Sequence, residues 1–184
     1  ALQEAGKLWL SGQSRPDACD PLFQLWQQAG LRTQEKIWER MNLAFEAQNP
    51  NLIRHLGAQL GSGMKGYGDQ MIALYDQPVR AMNPANFTAA PPSRHLLSLG
   101  LARYANQEPD AVLRQLGEMT RRFGLNHAEV NRVEKAAARR LLLDRLRQAC
   151  VASGQNQQVG ALLFIDMDNF KFLNDTQGHD KGDQ

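Results

Sequence analysis

The chain has 184 residues, of which 42% are hydrophobic, and its 21 basic and 19 acidic side chains leave a net charge of +2. This near balance gives no electrostatic reason to expect a nucleic-acid partner. No stretch approaches the ~20 apolar residues of a membrane span, and the first ten residues lack the pattern of a signal peptide. Because the chain begins at Ala1 rather than Met, we expect a processed chain or an internal fragment.

Up to about residue 150, apolar residues recur at helical spacing, and each run ends near Gly, Pro or Asn. The first run closes at Leu10, and the second begins near Pro21 and ends near Gly30. A third helix is expected to open after Thr33. Residues 61–68 contain four glycines, so we expect a loop there, with a short helix after it.

Two longer helices are predicted at residues 109–123 and 126–150, the second with Asn126 as its N-cap. Short helices joined by short loops, with no strand pattern before residue 150, predict a mainly α fold. The expected architecture is an open α-superhelix, solenoid-like but without a strict repeat. The two cysteines, Cys19 and Cys150, are too few for a disulfide framework and are predicted to be unpaired thiols.

The sequence changes character after Cys150. Residues 151–158 are small or polar and are predicted to be a connector. Residues 159–166 form a nearly continuous apolar run, as in a strand buried on both faces. Residues 169–176 have helical spacing, so the C-terminal part is predicted to be a truncated α/β piece of one strand and one helix.

Residues 7–26, KLWLSGQSRPDACDPLFQLW, resemble the superhelical region of soluble lytic murein transglycosylases, and the likeness extends loosely to about Arg140. That family implies a periplasmic location and peptidoglycan as a partner. Its catalytic acid lies in a separate lysozyme-like domain. The resemblance therefore implies a helical scaffold without the catalytic centre.

The side chains of this region, considered alone, indicate packing rather than catalysis. Trp9, Phe23 and Trp26 are predicted to be core residues. Three glutamates on Arg-rich helices are predicted to form solvated ion pairs: Glu118, Glu129 and Glu134. Three scattered histidines are predicted to lie at the surface or to have their hydrogen bonds satisfied in the interior: His55, His95 and His127. The basic stretch from Arg121 to Arg147 is predicted to be a solvated face, with contact to an anionic glycan or phosphate as the alternative.

Residues 140–184 resemble the start of a GGDEF domain, the fold of diguanylate cyclases, and the motif is LLFIDMDNFKFLNDTQGHDKGD at residues 162–183. The segment VEKAAAR stands where the family usually has D-x-L-T-x-L-x-N, which indicates a junction near residues 139–141. We therefore expect two domains: residues 1–140, similar to the transglycosylase superhelical region, and residues 141–184, a truncated GGDEF-like start.

This second resemblance implies a GTP and magnesium site. Asp166 and the carbonyl of Met167 would ligate Mg²⁺. Phosphate oxygens would accept hydrogen bonds from the backbone N–H groups of Asn169, Phe170 and Lys171. The side chains of Asn174 and Asp183 would bind guanine. Asp168 is predicted to be an N-cap. The GG-[DE]-EF signature, with the second metal carboxylate, does not occur in the 184 residues, so only a half-site is expected.

Three functions follow as hypotheses. The favoured one is a non-catalytic fusion fragment of a peptidoglycan-associated helical scaffold and the start of a diguanylate cyclase domain. The alternatives are part of a longer GGDEF protein that makes cyclic di-GMP from GTP, and a helical scaffold that binds peptidoglycan or protein. The two resemblances imply different compartments, the periplasm and the cytoplasm, which argues against one protein exercising both activities.

Overall fold

The computed structural model describes residues 2–156 of the chain. The predicted strand at residues 159–166 and the helix after it lie outside the described residues. The chain divides into two compact units, Ala1–Leu143 and Asp144–Gln184. Within residues 2–156 every regular element is helical, which confirms the mainly α prediction.

The order of the eight α-helices in residues 2–156 agrees with the predicted succession of short helices joined by short loops. Three short 3-10 helices lie between them, at Asp17–Cys19, Pro78–Met82 and Pro84–Asn86. The α-helices are α1 Leu2–Trp9, α2 Asp20–Gln28, α3 Gln34–Glu46, α4 Pro50–Gly57, α5 Ser62–Asp76, α6 Pro91–Ala105, α7 Pro109–Phe123 and α8 His127–Asn156.

Local side-chain chemistry sets several helix ends where the sequence predicts them. Thr33 Oγ1 accepts a hydrogen bond from Lys36 N at the start of α3. Asn126 Oδ1 accepts from Glu129 N at 2.9 Å, which caps α8. Gly30 and Gly124 follow α2 and α7 with φ of 72° and 67°, a left-handed conformation that glycine adopts without a steric penalty.

The prediction of a loop at residues 61–68 is wrong, because α5 already begins at Ser62. Gly68 lies against the preceding segment so closely that a Cβ there would be 2.5 Å from Leu60 Cδ1. Gly61, the residue just before α5, is fixed by a hydrogen bond that its N–H donates to Gln34 Oε1 at 2.6 Å. Close packing at Gly68 therefore offsets part of the backbone entropy that the glycines of α5 cost.

The predicted connector at residues 151–158 is also wrong for its first part, since α8 continues to Asn156. The residues from Val151 onward include no proline, and Gly154 is the only strong helix breaker before Asn156. Small and polar composition is compatible with an exposed helical turn, which is why it did not distinguish a connector from the end of α8.

One hydrophobic cluster joins the helices of the first unit, from Ala5 in α1 to Ala137 in α8. Trp9 packs on Trp26 with their ring centroids 5.3 Å apart, which confirms that these residues belong to the core. Cys19 and Cys150 are both free thiols, as predicted. Among the helices that the structure describes, none is both long enough and apolar enough to span a membrane.

Candidate functional site

The GTP and magnesium residues predicted from the sequence all lie outside the described part of the chain, so their roles stay predictions. They are Asp166, Met167, Asn169, Phe170, Lys171, Asn174 and Asp183. Within residues 2–156, no group of three or more His, Cys, Asp or Glu side chains is arranged to hold a metal ion.

A polar cavity of about 470 Å³ lies among α1, α2, α3, α4 and the loops that join them. Three guanidinium groups line it, from Arg15 in the α1–α2 connection, Arg32 before α3 and Arg40 in α3. We name it the arginine cavity after these three residues. Its lining also includes aromatic side chains, Trp9 and Phe23.

Arg40 is the most enclosed of the three arginines, with only 7% of its surface exposed. Its Nε donates to Ser11 O at 3.2 Å and its Nη2 donates to Gln13 O at 3.5 Å. Its guanidinium carbon lies 4.6 Å from the centroid of the Trp9 ring. Burial lowers the pKa of Arg40, and the positive charges of Arg15 and Arg32 lower it further.

Arg15 and Arg32 complete the positive lining of the cavity. Arg15 Nε donates to Leu8 O at 2.9 Å, while Arg32 is half-buried and burial lowers its pKa. Among residues 2–156, no carboxylate forms an ion pair with Arg15, Arg32 or Arg40. Asp20 contributes one carboxylate to the lining. The cavity therefore has an excess of positive charge.

Sequence reasoning did not identify the arginine cavity. Its arginines lie 17 and 8 residues apart along the chain, on two loops and one helix, so no spacing relates them. The basic stretch from Arg121 to Arg147, for which the sequence leaves contact with an anion as the alternative, makes contacts within the protein. Arg132 Nη1 donates to Ser98 Oγ at 2.7 Å, and Arg147 pairs with Asp144 at 3.7 Å.

Glu129 differs from its prediction as a solvated ion-pairing residue, because it is only 6% exposed. Its Oε2 accepts from Asn126 N at 2.8 Å, reciprocating the cap that Asn126 provides. The same oxygen lies 3.3 Å from Arg94 Nε, an ion pair by distance that lacks hydrogen-bond geometry. Packing of the start of α8 against α6 buries this carboxylate, which periodicity alone did not indicate.

His95 fits the prediction of a satisfied interior histidine. Its Nε2 donates to Asn42 Oδ1 at 3.1 Å, joining α6 to α3. Burial lowers the pKa of His95 and the charge of Arg132 lowers it further, while Glu129 opposes both effects. His95 is therefore a structural hydrogen-bond donor in its neutral form.

Comparison with known proteins relates most of the chain to one group. The soluble lytic murein transglycosylases of Escherichia coli K12 and Salmonella typhimurium are each 28% identical to it over 143 residues, which is 77% of this chain and 22% of theirs. This chain therefore spans about a fifth of the length of the curated relatives that it matches.

Solved structures give the same relationship. An inactive variant of lytic transglycosylase Slt from Pseudomonas aeruginosa superposes with a TM-score of 0.69 at 30% identity, over 76% of this chain and 23% of that one. The 70-kDa soluble lytic transglycosylase of Escherichia coli superposes with a TM-score of 0.63 at 27% identity, with the same coverage.

The C-terminal residues match a different family. Residues 132–184 match the family model described as diguanylate cyclase, GGDEF domain. Both resemblances seen in the sequence are thus confirmed. The chain joins a helical region similar to the superhelix of soluble lytic transglycosylases to a segment that matches the GGDEF domain.

Proposed function

We propose that residues 1–140 form a non-catalytic helical scaffold that associates with peptidoglycan, and that residues 141–184 are the start of a separate GGDEF-like domain. The likeness to lytic transglycosylases supports the peptidoglycan association. The environment of Glu129 is the single observation that carries the non-catalytic role.

Cleavage of a glycosidic bond requires a shielded carboxylic acid that can protonate the leaving oxygen. Among residues 2–156, Glu129 is the only carboxylate that is buried. One of its oxygens accepts from Asn126 N and faces Arg94. Both neighbours hold the side chain at the start of α8. This arrangement supports a role for Glu129 in stabilising the helix rather than in catalysis.

Purified peptidoglycan sacculi test this proposal. We expect the chain to co-sediment with the sacculi and to release no anhydro-sugar products from them. A chain that stays in the supernatant would contradict the association, and release of products would contradict the non-catalytic role. The Glu129→Gln variant is the control and is expected to sediment as the wild type does, because Glu129 is assigned to the helix cap.

The match to the GGDEF family supports a second proposal for residues 141–184. Asp166 and the Met167 carbonyl supply the hard oxygen ligands that suit Mg²⁺. Asn169, Phe170 and Lys171 would hold phosphates through their backbone N–H groups. Asn174 and Asp183 would bind guanine. When bound, the metal would neutralise phosphate charge and activate a hydroxyl group.

Among these residues, only Asp166 would supply a carboxylate to the metal. The second carboxylate would have to come from a GG-[DE]-EF segment, which these residues do not include. We expect the 184-residue chain to bind GTP with Mg²⁺ weakly and to form no cyclic di-GMP. Calorimetry and chromatography of the products measure these two properties. Turnover that is lost in Asp166→Ala would contradict the proposal and favour cyclic di-GMP synthesis as the function.

A further inference from the structure

We propose that the arginine cavity is a binding site for an oxyanion, a carboxylate or phosphate group that Arg15, Arg32 and Arg40 contact together. The inference is independent of peptidoglycan association, since it depends on the charge and geometry of the cavity alone. Its first support is the charge of the lining. Three arginines and one carboxylate residue, Asp20, line the cavity, so two positive charges are in excess.

The second support is the absence of internal neutralisation. Within the described part of the chain, neither Arg15, Arg32 nor Arg40 forms an ion pair with a carboxylate. Arg40 bonds only to neutral backbone carbonyls, and Arg32 is half-buried. Placing like charges close together in a partly buried site costs free energy. A bound anion would offset that cost.

The third support is the fixed position of one guanidinium. Arg40 is held by two carbonyls and by the face of Trp9 at 4.6 Å. A guanidinium group has five N–H donors in a planar fork, so these two bonds leave donors for another acceptor. Because Arg40 is already ordered, binding an oxyanion requires little further loss of its side-chain entropy.

The cavity geometry selects the class of ligand. A planar donor fork matches the paired oxygens of a carboxylate or a phosphate better than it matches a spherical halide. About 470 Å³ accommodates more than the oxyanion alone. Phe23 provides an apolar surface and Gln24 and Gln27 provide amide groups for the rest of such a molecule.

Titration of the full chain with inorganic phosphate and with succinate tests the site, using calorimetry at constant ionic strength set with NaCl. We expect saturable binding of at least one of them that chloride does not reproduce. Arg32→Gln should weaken that binding about tenfold or more, the effect of losing a hydrogen bond to a charged group. Preference for phosphate would indicate a phosphate ester as the natural ligand, and preference for succinate would indicate a carboxylate.

Two further variants keep the result interpretable. Arg114→Gln removes an exposed arginine on α7 that does not belong to the cavity lining, and it should bind as the wild type does. Arg15→Gln changes an exposed cavity arginine and provides a second variant if Arg32→Gln does not fold. Binding that is equal in wild type, Arg15→Gln and Arg32→Gln would overturn the proposal. So would a wild-type chain that binds neither phosphate nor succinate.

Discussion

Arg40 lies with its guanidinium carbon 4.6 Å from the centroid of the Trp9 ring, and this contact joins α3 to α1. The aromatic face and the carbonyls of Ser11 and Gln13 together replace the carboxylate that usually accompanies a buried arginine. The same side chain therefore attaches the α1–α2 connection to the core and gives the arginine cavity its most enclosed positive charge.

Arg40→Met should lower the free energy of unfolding by about 1–2 kcal/mol, because it removes the ring contact and two hydrogen bonds while keeping much of the apolar volume. Urea denaturation followed by circular dichroism measures the change. Arg114→Met, at an exposed position, is the control and should have little effect. An Arg40→Met variant more stable than the wild type would mean that the cost of burying the charge exceeds these interactions.

Glu129→Ala should destabilise the protein by about 0.5–2 kcal/mol, the range for the loss of a helix cap. It removes the acceptor for Asn126 N and the partner of Arg94. Glu129→Gln keeps an acceptor oxygen and should cost less. Glu134→Ala changes an exposed glutamate of the same helix and serves as the control for thermal melting. Equal losses from Glu129→Ala and Glu134→Ala would show that the cap contributes nothing.

Two glycines on neighbouring helices should respond in opposite directions to alanine. A Cβ at Gly100 would lie 2.9 Å from both Ala81 Cβ and Leu74 Cδ2, so Gly100→Ala should cost about 1–3 kcal/mol by overpacking. A Cβ at Gly117 meets no atom within 4 Å, so Gly117→Ala should stabilise α7 by up to about 1 kcal/mol. Melting temperatures of the two variants measure this, and a stable Gly100→Ala variant would contradict the close packing of α6.

His95 should make the protein less stable as the pH falls. Because burial lowers its pKa in the folded state, the unfolded chain takes up the proton first, below about pH 6.5. Its stabilising contribution is complete above that pH and declines towards the lower folded pKa, by at most about 1.4 kcal/mol per pH unit. Urea denaturation from pH 8 to pH 5 measures this slope. His95→Gln should have a shallower slope than the wild type, and an unchanged slope in this variant would contradict the prediction.

Deletion of residues 151–184 should leave helicity and melting temperature nearly unchanged. The hydrophobic core of the described chain ends at Ala137, well before the deletion. Deletion of residues 126–184 is the contrasting variant, since it removes Val133 and Ala137 from that core and should lower the melting temperature. We also expect the shorter deletion to improve solubility, because residues 161–165 form an apolar run. Unfolding of the helices by the shorter deletion would mean that the C-terminal residues are part of one integrated domain.

The sequence alone determined the helical class, both family resemblances and several helix ends. Thr33 and Asn126 were recognisable as caps because each bonds to a backbone N–H three residues further along, within one helical turn. Gly30 and Gly124 were recognisable as helix ends because glycine adopts a left-handed conformation readily. Interactions of this range depend on neighbouring residues only, so a linear pattern contains them.

Only the tertiary structure decided where the charged side chains lie. Arg15, Arg32 and Arg40 belong to separate segments and meet because α1, α2, α3 and α4 pack around one cavity. Glu129 is buried because α8 begins against α6, and Gly68 of α5 packs closely on Leu60. Such burial depends on the distance between helices far apart in the chain, which the helical period of each one does not specify.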